Sequence, residues 1–429
     1  MNALERLGSY VAASGRERRC EAVRELVELH LIDTVGALIA SARTVEGLGL
    51  LRFRAAMRAR GQGAWPLDLA TRCALARLSE IDDIHLPSMT TPGAIVIPGA
   101  LTFAGALPAV AADDMIAAIL AGTEAMTRLG RAIDGPAILY RGIWPTYFAA
   151  PFGMAAAAAR LLRLDEEATA HALALALTLA APAVGHHNAA TTSRWFAVGN
   201  AARNGLNAAL AAQQGFTSDR KLLEGRVLPD VLGITPAVAA LTDGLGERTA
   251  LTEVSFKPWC AARQTMAATQ ALKDVIASGV APAAIDAIAA SVPPPHLKMI
   301  DHGVRRSRLA PHQRGIRHGG GRARARAGVR RAAGAAGPAA SRSRLDGEDQ
   351  GRGGRALARR LSDVLAGAPA RCRRLDAARA RRDPRSRRSR APLRSRARAG
   401  KISVLYATGA RRGNSRPHAR ALHQRARNW

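Results

Sequence analysis

Apolar residues recur at three- and four-residue steps through most of the first 250 positions, and this spacing predicts amphipathic helices. Two of the predicted helices begin with carboxylates, at Asp113 and Asp165, where negative charge complements the partial positive charge of a helix N-terminus. We therefore predict one large all-α domain over residues 1–250. The predicted helices span 18–40, 66–79, 111–132, 152–163, 165–182 and 195–214.

The pattern changes after Gly246, where short apolar runs alternate with one helical stretch. We predict a strand over 251–256, a helix over 261–278 and a second strand over 285–292. Strand, helix and strand in close succession indicate the start of a small α+β domain, which we place at 251–310. The predicted fold class is thus mainly α, with a large helical domain and a smaller, incomplete α+β domain.

The last part of the chain has a different composition. Residues 1–301 carry 27 Lys+Arg and 27 Asp+Glu, whereas residues 302–429 carry 36 and 6. That basic excess consists of arginine except for Lys401, and the stretch 303–400 contains no Phe, Tyr, Trp or Met. GC-rich coding DNA yields this bias when it is read out of frame, and a genuine basic tail is the alternative. We predict that 311–429 is irregular, because few apolar side chains are available to offset the entropy of ordering.

Several classes of protein and site are excluded by what the sequence lacks. The four cysteines, at positions 20, 73, 260 and 372, are scattered, which argues against a disulfide framework or a zinc site and fits a reducing compartment. We find no signal segment and no apolar run long enough to span a bilayer, so we expect a cytoplasmic protein without a membrane partner. Phosphate-binding loops, dinucleotide fingerprints and zinc-protease motifs are absent, so we expect no cofactor and no metal.

The segment 80–93 is the most informative for chemistry. Glu80, Asp82, Asp83 and His85 lie within six residues and are followed by hydroxyls and two prolines. Such a cluster can separate the pKa values of its members and place an acid beside a base. The alternative is a polar loop in which an aspartate caps a neighbouring element.

Three further segments carry candidate ligand-binding groups. In 140–147, two phenols and a guanidinium precede a helix, which suits an anionic ligand, although aromatic packing explains the same residues. The segment 185–194 contains His186 and His187, but adjacent histidines point in different directions on regular structure, which argues against a metal clamp. The segment 256–264 places two cations at the predicted domain boundary, where small ligands often bind, or simply on a solvated surface.

Taken in order, these segments resemble the MmgE/PrpD family, which includes 2-methylcitrate dehydratases, cis-aconitate decarboxylases and iminodisuccinate epimerases. The resemblance covers residues 1–310. It rests on the Asp-Asp loop that ends in Pro-Gly, an Ala-rich helix at 153–162, Asn188-Ala189-Ala190-Thr191, the segment 199–205, Gly215-Phe216, Leu223-Glu224-Gly225 and Phe256-Lys257-Pro258-Trp259.

The resemblance implies a cofactor-independent lyase or isomerase that acts on a small di- or tricarboxylate, and it implies a homodimer. The reaction would remove a proton α to a carboxylate, in a 2-methylcitrate-dehydratase-like or iminodisuccinate-epimerase-like way, which needs a base, an acid on the opposite side and cations for the developing charge. Two alternatives stay open: a nucleic-acid-binding protein that uses its Arg-rich tail, and a non-catalytic remnant.

Some residues depart from the family pattern. Thr90 and Trp144 stand where the decarboxylase has active-site histidines, Arg194 stands where it has a lysine, and Ala262 replaces a third histidine, whereas Lys257 matches. The decarboxylase activity is therefore not transferred to this chain.

The remaining polar residues give a candidate active site. We expect His85 to act as base or acid, with a tyrosine or Lys257 on the opposite side, and we expect Arg194 and Arg263 to hold substrate carboxylates. The candidate catalytic residues are Asp83, His85, Tyr140, Tyr147 and Lys257, and the candidate substrate-binding residues are Thr90, Trp144, Arg194 and Arg263.

Overall fold

The computed structural model describes residues 1–14, 21–181, 191–300 and 400–405. The predictions for His186 and His187, for most of the Asn-Ala-Ala-Thr motif and for nearly all of the Arg-rich tail lie outside the described residues.

The described residues are mainly helical, which confirms the predicted fold class. They form twelve α-helices: α1 (Ala3–Ala13), α2 (Glu21–Ser41), α3 (Val45–Ala59), α4 (Ala64–Leu78), α5 (Gly93–Ala104), α6 (Ala112–Ala132), α7 (Gly135–Leu139), α8 (Pro145–Leu161), α9 (Glu166–Thr178), α10 (Ser193–Gln213), α11 (Met266–Ala277) and α12 (Pro294–Ile300). None of the helices in the described ranges combines the length and the hydropathy that a bilayer crossing requires.

Six of these helices match the six predicted in the large domain, with shifted ends, and the largest shift is at α8. That helix begins at Pro145 rather than at 152, because a proline in the first helical turn needs no hydrogen-bond partner for its nitrogen. Helix α1 was not predicted, although Asn2 and Glu5 form a capping box at its start. Helix α5 was not predicted either, because it is buried on nearly all sides and contains Pro98, so that no amphipathic period marks it.

The core is built around α8, which packs against α5, α6, α9 and α10. Five consecutive alanines, Ala155–Ala159, are buried on α8, and their small side chains let neighbouring helices approach closely. A methyl group on Gly153 would lie 3.0 Å from the carbonyl oxygen of Gly122 on α6. The scaffold therefore depends on close backbone contact between α6 and α8.

Four short strands form two separate sheets. Strands β1 (Ile84–His85) and β2 (Val254–Ser255) pair antiparallel, and β3 (Ile285–Ser291) pairs in parallel with β4 (Gly400–Leu405). Strand β3 is in its predicted place, whereas β4 is a strand inside the segment that we predict to be irregular.

The strand predicted over 251–256 is much shorter in the structure. Residues Ala250–Glu253 form a 3-10 turn in which the hydroxyl of Thr249 accepts the N–H of Leu251, so only β2 remains extended. Because β2 pairs with β1, the chain that leads to Lys257 is joined to the 80–93 loop.

A buried ion pair on α6 holds the segment that precedes β2. Arg128 donates to Oε1 of Glu124 at 2.7 Å and to the carbonyl oxygens of Leu241 and Asp243 at 3.2 and 2.9 Å. The other oxygen of Glu124 accepts the N–H of Ala250 at 2.8 Å. This pair fixes where the chain enters the candidate site.

Candidate active site

The 80–93 loop is a buried polar segment rather than a solvated one. Asp82, Asp83, His85 and Thr90 are all almost completely buried. The N–H of His85 donates to the carbonyl oxygen of Thr90 at 2.8 Å, which closes the loop on itself. Buried polar groups require partners, so the contacts of this loop determine what it can do.

Five charged side chains meet at the start of this loop, and we call them the charge cluster: Arg77, Asp82 and Lys257, which are buried, and Glu80 and Arg194, which are partly buried. Glu80 pairs with Arg77 at 2.9 Å and with Arg194 at 2.8 Å. Oδ1 of Asp82 accepts from Arg77 at 3.3 Å and from Lys257 at 3.2 Å. Lys257 also donates to the carbonyl oxygen of Glu80 at 3.1 Å.

The two carboxylates of the charge cluster are shifted in opposite directions. Burial works to raise the pKa of Glu80, but the cations Arg77, Arg194 and Lys257 together hold it well below its usual range. Burial raises the pKa of Asp82 in spite of Arg77 and Lys257, and Oδ2 of Asp82 has no hydrogen-bond partner among the described residues. Carboxyl groups whose pKa values are pushed apart are typical of acid–base sites.

Aromatic rings form one wall of the charge cluster. Trp144 and Tyr147 stack with centroids 5.3 Å apart, and the guanidinium of Arg194 lies 3.8 Å from the ring centroid of Trp195 and 5.6 Å from that of Trp144. The arginine is thus oriented by ring faces as well as by Glu80.

Tyr147 brings a phenol close to these charges. Its hydroxyl is buried and makes no hydrogen bond within the described ranges. Burial raises the pKa of Tyr147, while the positive charges of Arg77 and Arg194 act in the opposite direction. The phenol is therefore a neutral proton donor near the cations.

His85 lies in a different set of contacts. Its Nδ1 is 2.8 Å from the hydroxyl of Ser88, and its Nε2 is 3.2 Å from the carboxylate of Glu253, which also pairs with Arg131. Burial lowers the pKa of His85, although the hydrogen bond with Glu253 raises it. Burial therefore favours the neutral form of His85, and both of its ring nitrogens have partners.

Thr90 belongs to the same set as His85. Its hydroxyl lies 2.6 Å from the hydroxyl of Ser88, and both side chains are fully buried. Thr90 therefore supports the loop from within.

Asp83 faces helix α2 instead of the charge cluster. Its Oδ1 accepts the N–H of Gly93 at 3.0 Å, and its Oδ2 lies 3.1 Å from Nδ1 of His30. Asp33 lies one helical turn after His30 on α2. Its pKa is raised to about 6, mainly by burial and to a smaller extent by the negative charge of Asp83.

Tyr140 and Arg263 lie at the edge of the described site. The hydroxyl of Tyr140 is 3.5 Å from Nε2 of Gln264, and its ring stacks on that of His296. Arg263 lies in the short 3-10 turn before α11, and its guanidinium has no ion pair with any residue that the structure describes.

The structure therefore brings Trp144, Tyr147, Arg194 and Lys257 together and gives the other sequence candidates separate surroundings. Arg77 was not predicted as a site residue, although it lies one helical turn before Glu80 at a spacing that favours an ion pair. His30 and Asp33 were not predicted either, because polar side chains on an amphipathic helix such as α2 are expected without any role in a site. Among the described residues, no group of three His, Cys, Asp or Glu side chains is arranged to hold a metal ion.

Comparison with known proteins places the chain in a family. The model for the MmgE/PrpD N-terminal domain matches residues 5–228, just over half of the chain. The matched region contains Glu80, Asp82, Trp144, Tyr147 and Arg194, and it ends before Lys257. A search of curated proteins gives no match. On the evidence of the domain match, the chain belongs to the MmgE/PrpD family.

Proposed function

We propose that this protein is a lyase or isomerase of the MmgE/PrpD type that removes a proton α to a carboxylate of a small di- or tricarboxylate. The observation that supports this most directly is the charge cluster, in which two buried cations and the partly buried Arg194 share two carboxylates next to the phenol of Tyr147. Its net charge is positive, which suits an anionic ligand.

Substrate binding would use two cations, of which Arg194 already has fixed partners. Arg194 lies between Trp144 and Trp195 and is held by Glu80, so a substrate carboxylate would share its guanidinium rather than order a free side chain. Arg263, which has no ion pair in the described part of the chain, is the second candidate clamp. Preorganised cations of this kind stabilise the enolate charge that develops when an α-proton leaves.

Proton transfer requires a base on one side of the substrate and an acid on the other. Tyr147 is the candidate acid next to the charge cluster, and Tyr140 is the candidate at its edge. His85 is the candidate base, and it would have to release Ser88 or Glu253 before it accepts a proton. The ammonium of Lys257 is a further candidate acid. Asp83 supports the loop that holds these groups.

The experiment is α-proton exchange in deuterated solvent with a panel of small di- and tricarboxylates, followed by mass spectrometry and NMR. Loss of water identifies a dehydratase, and exchange with inversion identifies an epimerase. The control pair is Lys257→Met, which removes a cluster cation, and Lys221→Met, which removes an exposed one. If the wild-type protein neither exchanges nor transforms any member of the panel, the proposal fails and the non-catalytic alternative stands.

Two further proposals concern partners. Family resemblance supports a homodimer, which sedimentation analysis tests directly.

The 36 basic against 6 acidic side chains of residues 302–429 support nucleic-acid binding as a second candidate function. That function predicts an affinity for DNA that falls steeply with salt concentration and is lost when 311–429 is removed.

A further inference from the structure

His30 connects two of the three chain segments that carry the charge cluster. It lies on α2, is completely buried, and places Nδ1 3.1 Å from Oδ2 of Asp83, the neighbour of Asp82. Because an ionised carboxylate only accepts hydrogen bonds, the ring nitrogen that faces it is the one that carries the proton. His30 therefore donates to the 80–93 loop from outside that loop.

The same imidazole contacts the second segment. The ring centroids of His30 and Phe256 are 4.4 Å apart, with an angle of 31° between the planes. Phe256 directly precedes Lys257, whose ammonium reaches Asp82. One side chain thus touches the immediate neighbours of both members of the Asp82–Lys257 pair.

A histidine at this position is costly for folding. Its Nε2 is buried and has no hydrogen-bond partner among the residues that the structure describes, and such an atom destabilises a fold. An apolar ring of similar size would pack against Phe256 without that cost. What it would lack is the donor directed at Asp83.

We propose that His30 is a positioning residue, which holds Asp83 through Nδ1–H and Phe256 through its ring and so fixes Lys257 against Asp82. Its importance for catalysis rests on the proposed function, whereas its effect on Lys257 does not. Without the donor, Oδ2 of Asp83 is a buried oxygen without a partner, close to the charges of Asp33 and Asp82. The loop then moves to solvate it, and Asp82 moves with the loop.

Two substitutions separate the two contacts. His30→Phe keeps a ring against Phe256 and removes the donor, whereas His30→Asn keeps an N–H donor near the position of Nδ1 and removes the ring. The readout is the rate at which acetic anhydride labels Lys257 in the full-length protein, measured by mass spectrometry relative to the exposed Lys221.

We expect His30→Phe to raise the relative labelling of Lys257 by about fivefold or more, because a buried ammonium becomes accessible when its partner moves. We expect His30→Asn to stay within about twofold of wild type, since the polar contact is retained. If the proposed function holds, kcat of His30→Phe falls about 10–100-fold, with a smaller change in KM, because the cation is misplaced rather than removed.

Unchanged Lys257 labelling in His30→Phe would overturn the inference, and so would equal labelling in both variants. A measurement on the wild-type protein decides the matter if His30→Phe does not fold: the ¹⁵N shifts of the His30 ring must identify Nδ1 as protonated, and a ring that carries its proton on Nε2 alone refutes the proposal. Neither labelling nor NMR needs a substrate. Expected labelling without turnover therefore leaves the role of His30 intact and counts against the proposed function.

Discussion

The ammonium of Lys257 lies 3.2 Å from Oδ1 of Asp82, although 175 residues separate them in the chain. Both side chains are almost completely buried, and Arg77 lies 3.3 Å from the same oxygen. Breaking a buried ion pair leaves an uncompensated charge, which costs more than the pair itself contributes. Substitutions in the charge cluster should therefore change the stability of the protein, which can be measured separately from its activity.

Lys257→Met should lower the free energy of unfolding by about 3 kcal/mol, since Asp82 keeps only Arg77 as its partner. The double variant Asp82→Asn/Lys257→Met should regain at least half of that loss, because neither charge remains. Neither variant should turn over substrate. Urea unfolding of Lys257→Met, Asp82→Asn and the double variant measures the coupling energy between the two side chains. A loss in the double variant equal to the sum of the two single losses would contradict the prediction.

Glu80→Gln should destabilise the protein by about 3 kcal/mol, because this partly buried carboxylate neutralises both the buried Arg77 and the partly buried Arg194. The matched control is Asp230→Asn, which removes an exposed partner of Arg226 and should change stability by about 0.5 kcal/mol or less. Chemical denaturation of both variants provides the comparison. Similar losses of stability in Glu80→Gln and Asp230→Asn would mean that water already solvates Arg77 and Arg194.

Gly93→Ala should cost about 2 kcal/mol, because the new methyl group would overlap the carboxylate of Asp83 and force the loop away from α5. Gly36→Ala on α2 is the control, since nothing lies within 4 Å of a methyl group there and alanine favours the helix. That control should gain about 0.5–1 kcal/mol. Thermal unfolding of both proteins would reveal opposite signs, and a gain for Gly93→Ala would disprove the close approach.

Asp33→Asn should stabilise the protein at neutral pH and not in acid. Asp33 has a pKa of about 6 in the folded protein and 3.8 without the fold, so the folded state holds the proton more tightly and loses stability as pH rises between these two values. The gain in the free energy of unfolding for Asp33→Asn should be near zero below pH 4, grow through pH 6, and reach about 1–2 kcal/mol above pH 6. This is less than the full electrostatic value of the pKa shift, because the side chain is partly exposed.

Urea unfolding of wild type and Asp33→Asn from pH 4 to pH 8 measures this dependence. A difference that is constant with pH would show that the carboxyl of Asp33 has an ordinary pKa. Glu46→Gln, in the first turn of α3, serves as the control for removing a carboxylate from a helix.

The sequence by itself determined the helical class, because an amphipathic period is a local property that needs no knowledge of the partner. It also marked the 80–93 loop and Lys257, since polar residues concentrated next to turn signals are visible in any chain. Helix α5 could not be predicted in this way, because a helix that is buried on nearly all sides has no amphipathic period.

The tertiary structure decided which of those polar residues meet. Arg194 pairs with Glu80, 114 residues away in the chain, and Lys257 pairs with Asp82, 175 residues away. At such separations the periodicity of the sequence cannot predict which side chains meet. It also gave His85 partners of its own and placed His30 between Asp83 and Phe256. The physical reason is that desolvation and charge act through space: a side chain acquires its pKa and its partners only when the helices around it have packed.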